Sequence, residues 1–82
     1  MNEKLKLHEA IAIVLLNQED RMATTEEIAE EINRRKLYGQ KDGSPVNKEQ
    51  IRIRTHTNTN SGKFYSYLFE FIEPDKVKLR NL

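Results

Sequence analysis

Residues 63–80, KFYSYLFEFIEPDKVKLR, decide the fold class of this chain. The first ten are rich in aromatic and β-preferring side chains, and the last four alternate apolar and basic residues as a half-buried strand does. Glu73-Pro74-Asp75-Lys76 predicts the turn between them, because proline suits the second position of a β-turn. The segment therefore predicts a hairpin, with these residues facing inward: Phe69, Phe71, Val77 and Leu79. Its basic residues face solvent or a partner: Lys76, Lys78 and Arg80.

A helix precedes this hairpin, from about Pro45 to about Thr57. Ser44-Pro45 predicts its start, with serine as the cap and proline in the first turn. The polar run from Thr55 to Gly62 is poor in helix formers and ends it. The helix has few apolar residues (Val46, Ile51 and Ile53), so much of its surface must face solvent or a ligand.

Two further helices occupy the N-terminal half. Thr24 with Glu27 matches a capping box that opens a short amphipathic helix. The preceding Arg21-Met22-Ala23 predicts a brief extended segment. Leu5 to Gln18 predicts a first helix that is apolar on most of its circumference. This helix is either the central one of the domain or meets another chain on one flank.

The length of 82 residues predicts a single domain with a core from about residue 5 to residue 80, α+β and mostly helical. The absence of cysteine excludes disulfides and thiol catalysis. The apolar run Ala10 to Leu16 is too short to span a bilayer. His8 and His56 lack a second ligand at metal spacing, and no nucleophile or phosphate-loop motif occurs. We expect a cytoplasmic non-enzyme with no cofactor, no metal and no membrane partner.

The net charge of +1 hides an asymmetry between the two halves of the chain. Residues 1–35 carry five basic and eight acidic side chains, giving −3, whereas residues 36–82 carry nine and five, giving +4. Such a separation can steer an anionic partner. Charge alone favours the plainer explanation of an ordinary solvated surface.

The element order is that of a winged helix: helix, brief strand, helix, loop, helix and hairpin. In a winged helix the third helix lies in the DNA major groove and the hairpin wing touches the backbone. From roughly Leu7 to Leu79 the chain resembles the HARE-HTH family of winged helices, which occur in chromatin regulators, restriction endonucleases and an RNA polymerase subunit. The matching segments are Ala10–Leu15, Thr25–Ile32, Leu37-Tyr38, Ser44-Pro45, Phe69 and Val77–Leu79. The polar Thr55–Ser61 stretch and the very short wing depart from the family pattern. The resemblance implies nucleic-acid binding.

On the third helix, Lys48, Arg52 and His56 recur every four residues and share one face, while Gln50 and Arg54 lie off that stripe. Arginine can pair with guanine, glutamine with adenine, and lysine with phosphates. The alternative is a solvated helix whose arginines, Arg54 included, pair with Glu49 or the acidic second helix.

Asn58 can donate to phosphates from the polar loop, and Lys63 can add a phosphate contact. Lys76 and Lys78, with Arg80, would clamp the DNA backbone from the wing. The alternative for these wing residues is that basic side chains on an edge strand block aggregation. The complete predicted nucleic-acid-binding set is Lys48, Gln50, Arg52, Arg54, His56, Asn58, Lys63, Lys76 and Lys78.

Lys36, Tyr38 and Lys41 flank the loop before the third helix. They could grip a phosphate across the groove, or they could belong to a mobile solvated loop.

Two functions remain open from the sequence. The first is a regulatory, restriction-type or chromatin-type module that binds double-stranded DNA. The second is a winged-helix module for protein interaction or homodimerisation without DNA binding. The second would use spare apolar surface on the first helix: Leu5, Ala12, Ile13 and Leu16.

Overall fold

The computed structural model describes residues 5–80, which form helices packed on a three-stranded antiparallel sheet, so the α+β class is confirmed. A single 3₁₀ turn, Glu19–Arg21, lies between the first helix and the first strand. The helices are α1 (Leu7–Leu16), α2 (Thr25–Arg35), α3 (Lys48–Thr55) and α4 (Asn60–Phe64). The strands are β1 (Met22–Thr24), β2 (Phe69–Ile72) and β3 (Lys76–Leu79).

The sheet has the order β1-β3-β2, so β3 is its central strand. The predicted hairpin is confirmed as β2 and β3, with Phe71 paired to Val77. The extended segment predicted before α2 is β1, which pairs with the other side of β3. Lys76 and Lys78 therefore do not lie on an edge strand, and the suggestion that they guard one is wrong.

The predicted strand from Lys63 to Leu68 is wrong, because residues 60–64 form α4 and the following residues turn. The Thr59 hydroxyl explains the difference. Its oxygen accepts a hydrogen bond from the backbone N–H of Gly62 at 2.8 Å, and its O–H donates to the carbonyl oxygen of Ile53 at 2.6 Å. This N-cap satisfies a backbone N–H at the start of α4. Its contribution outweighs the β-preference of the aromatic residues that follow.

The third helix begins at Lys48 rather than Pro45 and ends at Thr55 rather than Thr57. Asn47 is its cap: the Asn47 side chain accepts from the Gln50 N–H at 3.0 Å, and the Gln50 side chain accepts from the Asn47 N–H at 3.1 Å. Ser44 does not cap it; its hydroxyl donates to Asp42 at 2.7 Å.

The capping box at the start of α2 is confirmed. The Glu27 N–H donates to the Thr24 hydroxyl oxygen at 3.1 Å, and the Thr24 N–H donates to the Glu27 carboxylate at 2.9 Å. Two such reciprocal bonds satisfy two backbone donors that the helix cannot satisfy itself.

The core lies between the helices and the inner face of the sheet. Its buried apolar residues come from every helix except α4 and include Ile11, Leu15, Ile28, Ile32, Ile51, Phe69 and Val77. Phe71, predicted to face inward, is only partly buried against this core. One side of α1 is buried in the core, whereas its Ala12 and Ile13 are half-buried and its Leu16 is 55% exposed; Leu5, which precedes the helix, is half-buried. Among residues 5–80, no helix has the length and apolar character needed to cross a membrane.

Candidate nucleic-acid interface

The orientation of α3 follows from two buried residues, Ile51 and Thr55. At 3.6 residues per turn, the residues on either side of this buried line fall on two separate flanks. Lys48, Arg52 and His56 lie on the flank beside the hairpin, and we call this the hairpin flank. The other flank carries Gln50 and Arg54. The sequence predicts that these two residues lie off the face shared by Lys48, Arg52 and His56, and this agrees with the orientation of α3.

The hairpin flank forms a groove of about 250 Å³ lined by five residues: Thr25, Lys48, Glu49, Arg52 and Asp75. At its base, the Thr25 hydroxyl donates to the Asp75 carboxylate at 2.6 Å, and the Thr25 N–H donates to the Asp75 carbonyl at 3.0 Å. These two bonds tie the hairpin turn to the first residue of α2. The groove is therefore a place where α2, α3 and the hairpin meet.

Arg52 is held over the ring of Phe71, with its guanidinium carbon 5.7 Å from the ring centroid. A guanidinium in this position is attracted by the negative face of the ring and keeps its N–H groups available. Arg52 remains half-buried, and Lys48 is exposed. Both cations border the same groove.

His56 joins α3 to the hairpin rather than standing free. Its Nε2 lies 2.8 Å from a carboxylate oxygen of Glu73, and its ring centroid is 4.5 Å from that of Phe71. Its Nδ1 accepts the backbone N–H of Asn58 at 3.1 Å, which assigns the proton of the neutral ring to Nε2. With 13% of its side chain exposed, His56 offers little surface to an external ligand.

On the other flank, both predicted side chains have partners within the chain. Gln50 donates to the side-chain oxygen of Gln40 at 2.7 Å, besides its capping role. Arg54 donates to the Ser61 hydroxyl at 3.2 Å. The partner of Arg54 is thus neither Glu49 nor the acidic α2.

The basic residues of β3 point away from α3. Val77 and Leu79 are buried on the inner face, so the alternating Lys76, Lys78 and Arg80 are exposed on the outer face. Lys78 stands opposite Glu70 in the register with β2. The Arg80 Nε donates to the carbonyl of Ser66 at 2.7 Å.

Seven of the nine predicted binding residues therefore occupy three surfaces rather than one. The hairpin flank has Lys48, Arg52 and His56; the outer sheet face has Lys76 and Lys78. Gln50 and Arg54 lie on the far flank of α3. Asn58 is exposed in the loop between α3 and α4, and Lys63 is exposed on α4.

Ion pairing leaves the basic C-terminal half largely unneutralised. Within residues 5–80 the side-chain pairs between basic and acidic groups include Arg34–Glu31, at 2.6 Å, and the hydrogen-bonded His56–Glu73. The hydrogen bond from Arg34 lowers the pKa of Glu31 and raises that of Arg34. None of the nine lysines and arginines from Lys36 to Arg80 belongs to either pair.

The loop between α2 and α3 is built around Gln40. Its side-chain nitrogen donates to the carbonyl oxygens of Ser44 and Pro45, at 3.1 and 2.9 Å. A cleft of about 500 Å³ opens beside it, lined in part by Lys36 and Tyr38. Lys41 is exposed and does not line this cleft.

Two side chains fix the ends of this loop. The Asn33 amide bonds both the N–H and the carbonyl of Val46, at 2.9 and 2.8 Å. Asp42 accepts from the Ser44 N–H and hydroxyl, and these bonds, the backbone one first, lower the pKa of its carboxyl group.

Sequence reasoning considered Glu49 only as a partner for arginines and missed its place in the hairpin-flank groove, which it lines from the exposed surface of α3. The spacing Asn47-x-x-Gln50 is a capping-box pattern that marks the start of α3. Knowing this start would have shown which residues share a face of the helix. In the part of the chain that the structure describes, no three histidine, aspartate or glutamate residues are grouped to hold a metal ion.

Comparison with protein-family models, curated proteins and solved structures finds no match to this chain, so membership of the HARE-HTH family stays a prediction.

Proposed function

We propose that this chain is a winged-helix module that binds duplex DNA through the hairpin flank of α3. The element order supports the assignment, since α2 and α3 follow one another and the β2-β3 hairpin packs beside α3 through Phe71. The observation that carries the proposal is the ion pairing. Among the described residues, no carboxylate forms an ion pair with any of the nine cations from Lys36 to Arg80, so Lys48 and Arg52 keep their charge for phosphates.

The hairpin flank supplies both kinds of contact that a duplex needs. Lys48, at the exposed first residue of α3, suits a phosphate, and Arg52, one turn later, suits a guanine edge or a phosphate. Glu49 can accept a hydrogen bond from the amino group of cytosine. Lys76 lies outside this flank, on the outer sheet face at the end of the hairpin turn, and from there it adds a contact to a backbone phosphate.

The same flank also carries carboxylates, and they limit the affinity. Glu49, Glu73 and Asp75 lie on the helix and on the hairpin turn, and each repels phosphate. Hydrogen bonding to His56 and Thr25 keeps two of them in place beside the groove. We therefore expect about three phosphate contacts, from Lys48, Arg52 and Lys76, rather than contacts from the whole basic set.

Fluorescence anisotropy with a short labelled duplex at low salt tests this proposal. The variant K48A/R52A should bind at least about tenfold more weakly than the wild type. The variant R34A/R35A is the matched control, because it removes the same charge from the exposed end of α2. Equal losses in the two variants, or no wild-type binding at low salt, would reject the proposal.

A second candidate function is protein interaction through α1. It rests on Leu16, which is 55% exposed beside the half-buried Ala12 and Ile13. Analytical ultracentrifugation of the wild type and of L16A tests the self-associating form of this function. A wild-type protein that sediments as a monomer at micromolar concentration would reject homodimerisation.

A further inference from the structure

A second surface lies on the far flank of α3, away from the hairpin. It is a groove of about 210 Å³ lined by Leu7, Tyr38, Gln50, Ile53 and Arg54, and we call it the α1-α3 groove. Its volume is below the roughly 300–1,000 Å³ of typical small-molecule sites. The groove is therefore suited to one large apolar side chain of a partner rather than to a cofactor.

Apolar side chains lie on the wall of this groove and on the neighbouring α4 and the residue that follows it. Ile53 is 44% exposed on its wall. Tyr65 stacks on His8, the neighbour of Leu7, with ring centroids 4.4 Å apart, and Phe64 meets Tyr65 edge to face at 4.9 Å. Phe64 is 70% exposed, so its ring is open to a partner.

Among the described residues, the charged side chain that lines the groove and the charged side chain next to Phe64 are both cationic. Arg54 lines it, and the exposed Lys63 precedes Phe64 on α4. Within residues 5–80, no carboxylate lines the groove. The carboxylate of Glu9, which follows His8 in the chain, accepts the backbone N–H of Lys6 at 2.8 Å and so caps α1. An apolar groove with a cationic border is complementary to an apolar segment with acidic flanks.

We infer that the α1-α3 groove, with Phe64, binds an acidic amphipathic segment of a partner protein. One large apolar side chain of that segment enters the groove between Leu7 and Ile53, and a second packs on Phe64. Acidic residues on either side reach Arg54 and Lys63. This is the pattern of a few apolar anchors within a polar rim that protein interfaces use.

Single-stranded nucleic acid is a poorer fit to the same surface. Bases stack on open ring faces, in rows that follow the strand. Here the rings of Phe64 and Tyr65 stand at 88° to one another, and one face of Tyr65 is covered by His8. The deeper part of the surface is lined by the aliphatic side chains of Leu7 and Ile53, which offer no ring for stacking.

Two synthetic helical peptides test the inference by NMR titration of the whole ¹⁵N-labelled chain. Both peptides carry leucine and phenylalanine on one face; one carries glutamate on the other face, and the second carries lysine there. The glutamate peptide should shift the amide signals of Leu7, Ile53 and Phe64 saturably. It should also bind at least tenfold more tightly than the lysine peptide.

Two variants sharpen the experiment. F64A should weaken binding of the glutamate peptide about tenfold, and the exposure of Phe64 means that the variant keeps its fold, which its own spectrum verifies. L16A removes a comparably exposed apolar side chain from the other end of α1 and should bind like the wild type. K48A/R52A should also bind the peptide normally, which separates this inference from the DNA proposal.

Four results would overturn the inference. They are equal binding of the two peptides, an F64A variant that binds like the wild type, and tighter binding of single-stranded oligothymidylate at the same amides. The fourth is self-association of the chain that F64A abolishes, since the occupant would then be a second copy.

Discussion

Replacing Gly62 by alanine should destabilise the protein, although alanine is the better helix former by about 1 kcal/mol. Gly62 is buried in α4, packed against the end of α3. An added Cβ would lie 2.8 Å from the Thr59 hydroxyl oxygen and closer still to the carbonyl carbon and oxygen of His56. Two of these three atoms belong to the backbone, so only a movement of α4 relieves the overlap.

The size of the effect follows from what that movement costs. Overpacking of a close-packed site costs typically about 1–3 kcal/mol. Displacing α4 also weakens its cap, the 2.8 Å bond from the Gly62 N–H to the Thr59 hydroxyl, which is worth about 1 kcal/mol. The weakening of the cap offsets the helix-propensity gain of alanine, so the overpacking cost remains. Because the overlap is with backbone atoms, we expect a net destabilisation at the upper end of that range, about 3 kcal/mol. The melting temperature should fall by roughly 10–25 °C.

Urea unfolding followed by circular dichroism measures this change, with Gly43→Ala as the control. Gly43 has a φ of +79° and nothing within 4 Å of an added Cβ, so its substitution costs only the left-handed backbone conformation, about 1 kcal/mol. A Gly62→Ala protein as stable as the wild type, or more stable than Gly43→Ala, would refute the packing of α4 on α3.

The other predictions concern the loop between α2 and α3. Asn33→Ala should lower the free energy of unfolding, measured in urea, by about 2 kcal/mol, because it leaves the Val46 N–H and carbonyl without partners. Asn33→Asp keeps only the acceptor, so its free energy of unfolding should lie between those of the alanine variant and the wild type. For Asp42, NMR titration should place the pKa below the ordinary 3.8, since Ser44 bonds favour the carboxylate. The resulting stabilisation should be present above pH 3.8 and lost as the pH falls through the lowered folded-state pKa. The stability difference between wild type and Asp42→Asn should therefore disappear in acid; a difference that persists below the folded-state pKa would contradict the Ser44 contacts.

The sequence was sufficient where local chemistry and tertiary packing agree. Thr24 and Glu27 predict the start of α2 because a capping box needs only residues three apart. The Val77–Arg80 alternation predicts β3 and its exposed lysines because one face of the strand is buried. The α+β class follows from these elements.

Where two local signals compete, the sequence was ambiguous. Both Ser44-Pro45 and Asn47 with Gln50 are credible helix starts, and the second prevails because Asp42 takes the Ser44 hydroxyl. Residues 60–64 have a composition that suits a loop or a strand, yet the Thr59 hydroxyl caps a helix there.

The division of the predicted binding residues into three surfaces depends on contacts distant in sequence. The His56–Glu73 pair spans 17 residues and the Thr25–Asp75 bond spans 50. The Thr25–Asp75 bond places the hairpin turn beside the N-terminal end of α2, and the His56–Glu73 pair places it beside the C-terminal end of α3. Periodicity within a single helix or strand carries no information about such pairings.

Salt dependence of duplex binding tests the central claim most directly. With phosphates held by Lys48, Arg52 and Lys76, a plot of log Kobs against log salt should have a slope of about −2.7, at roughly −0.9 for each phosphate. K48A/R52A should reduce the slope to about −0.9, while R34A/R35A should leave it unchanged. A slope that stays at its wild-type value in K48A/R52A would contradict duplex binding by the hairpin flank of α3.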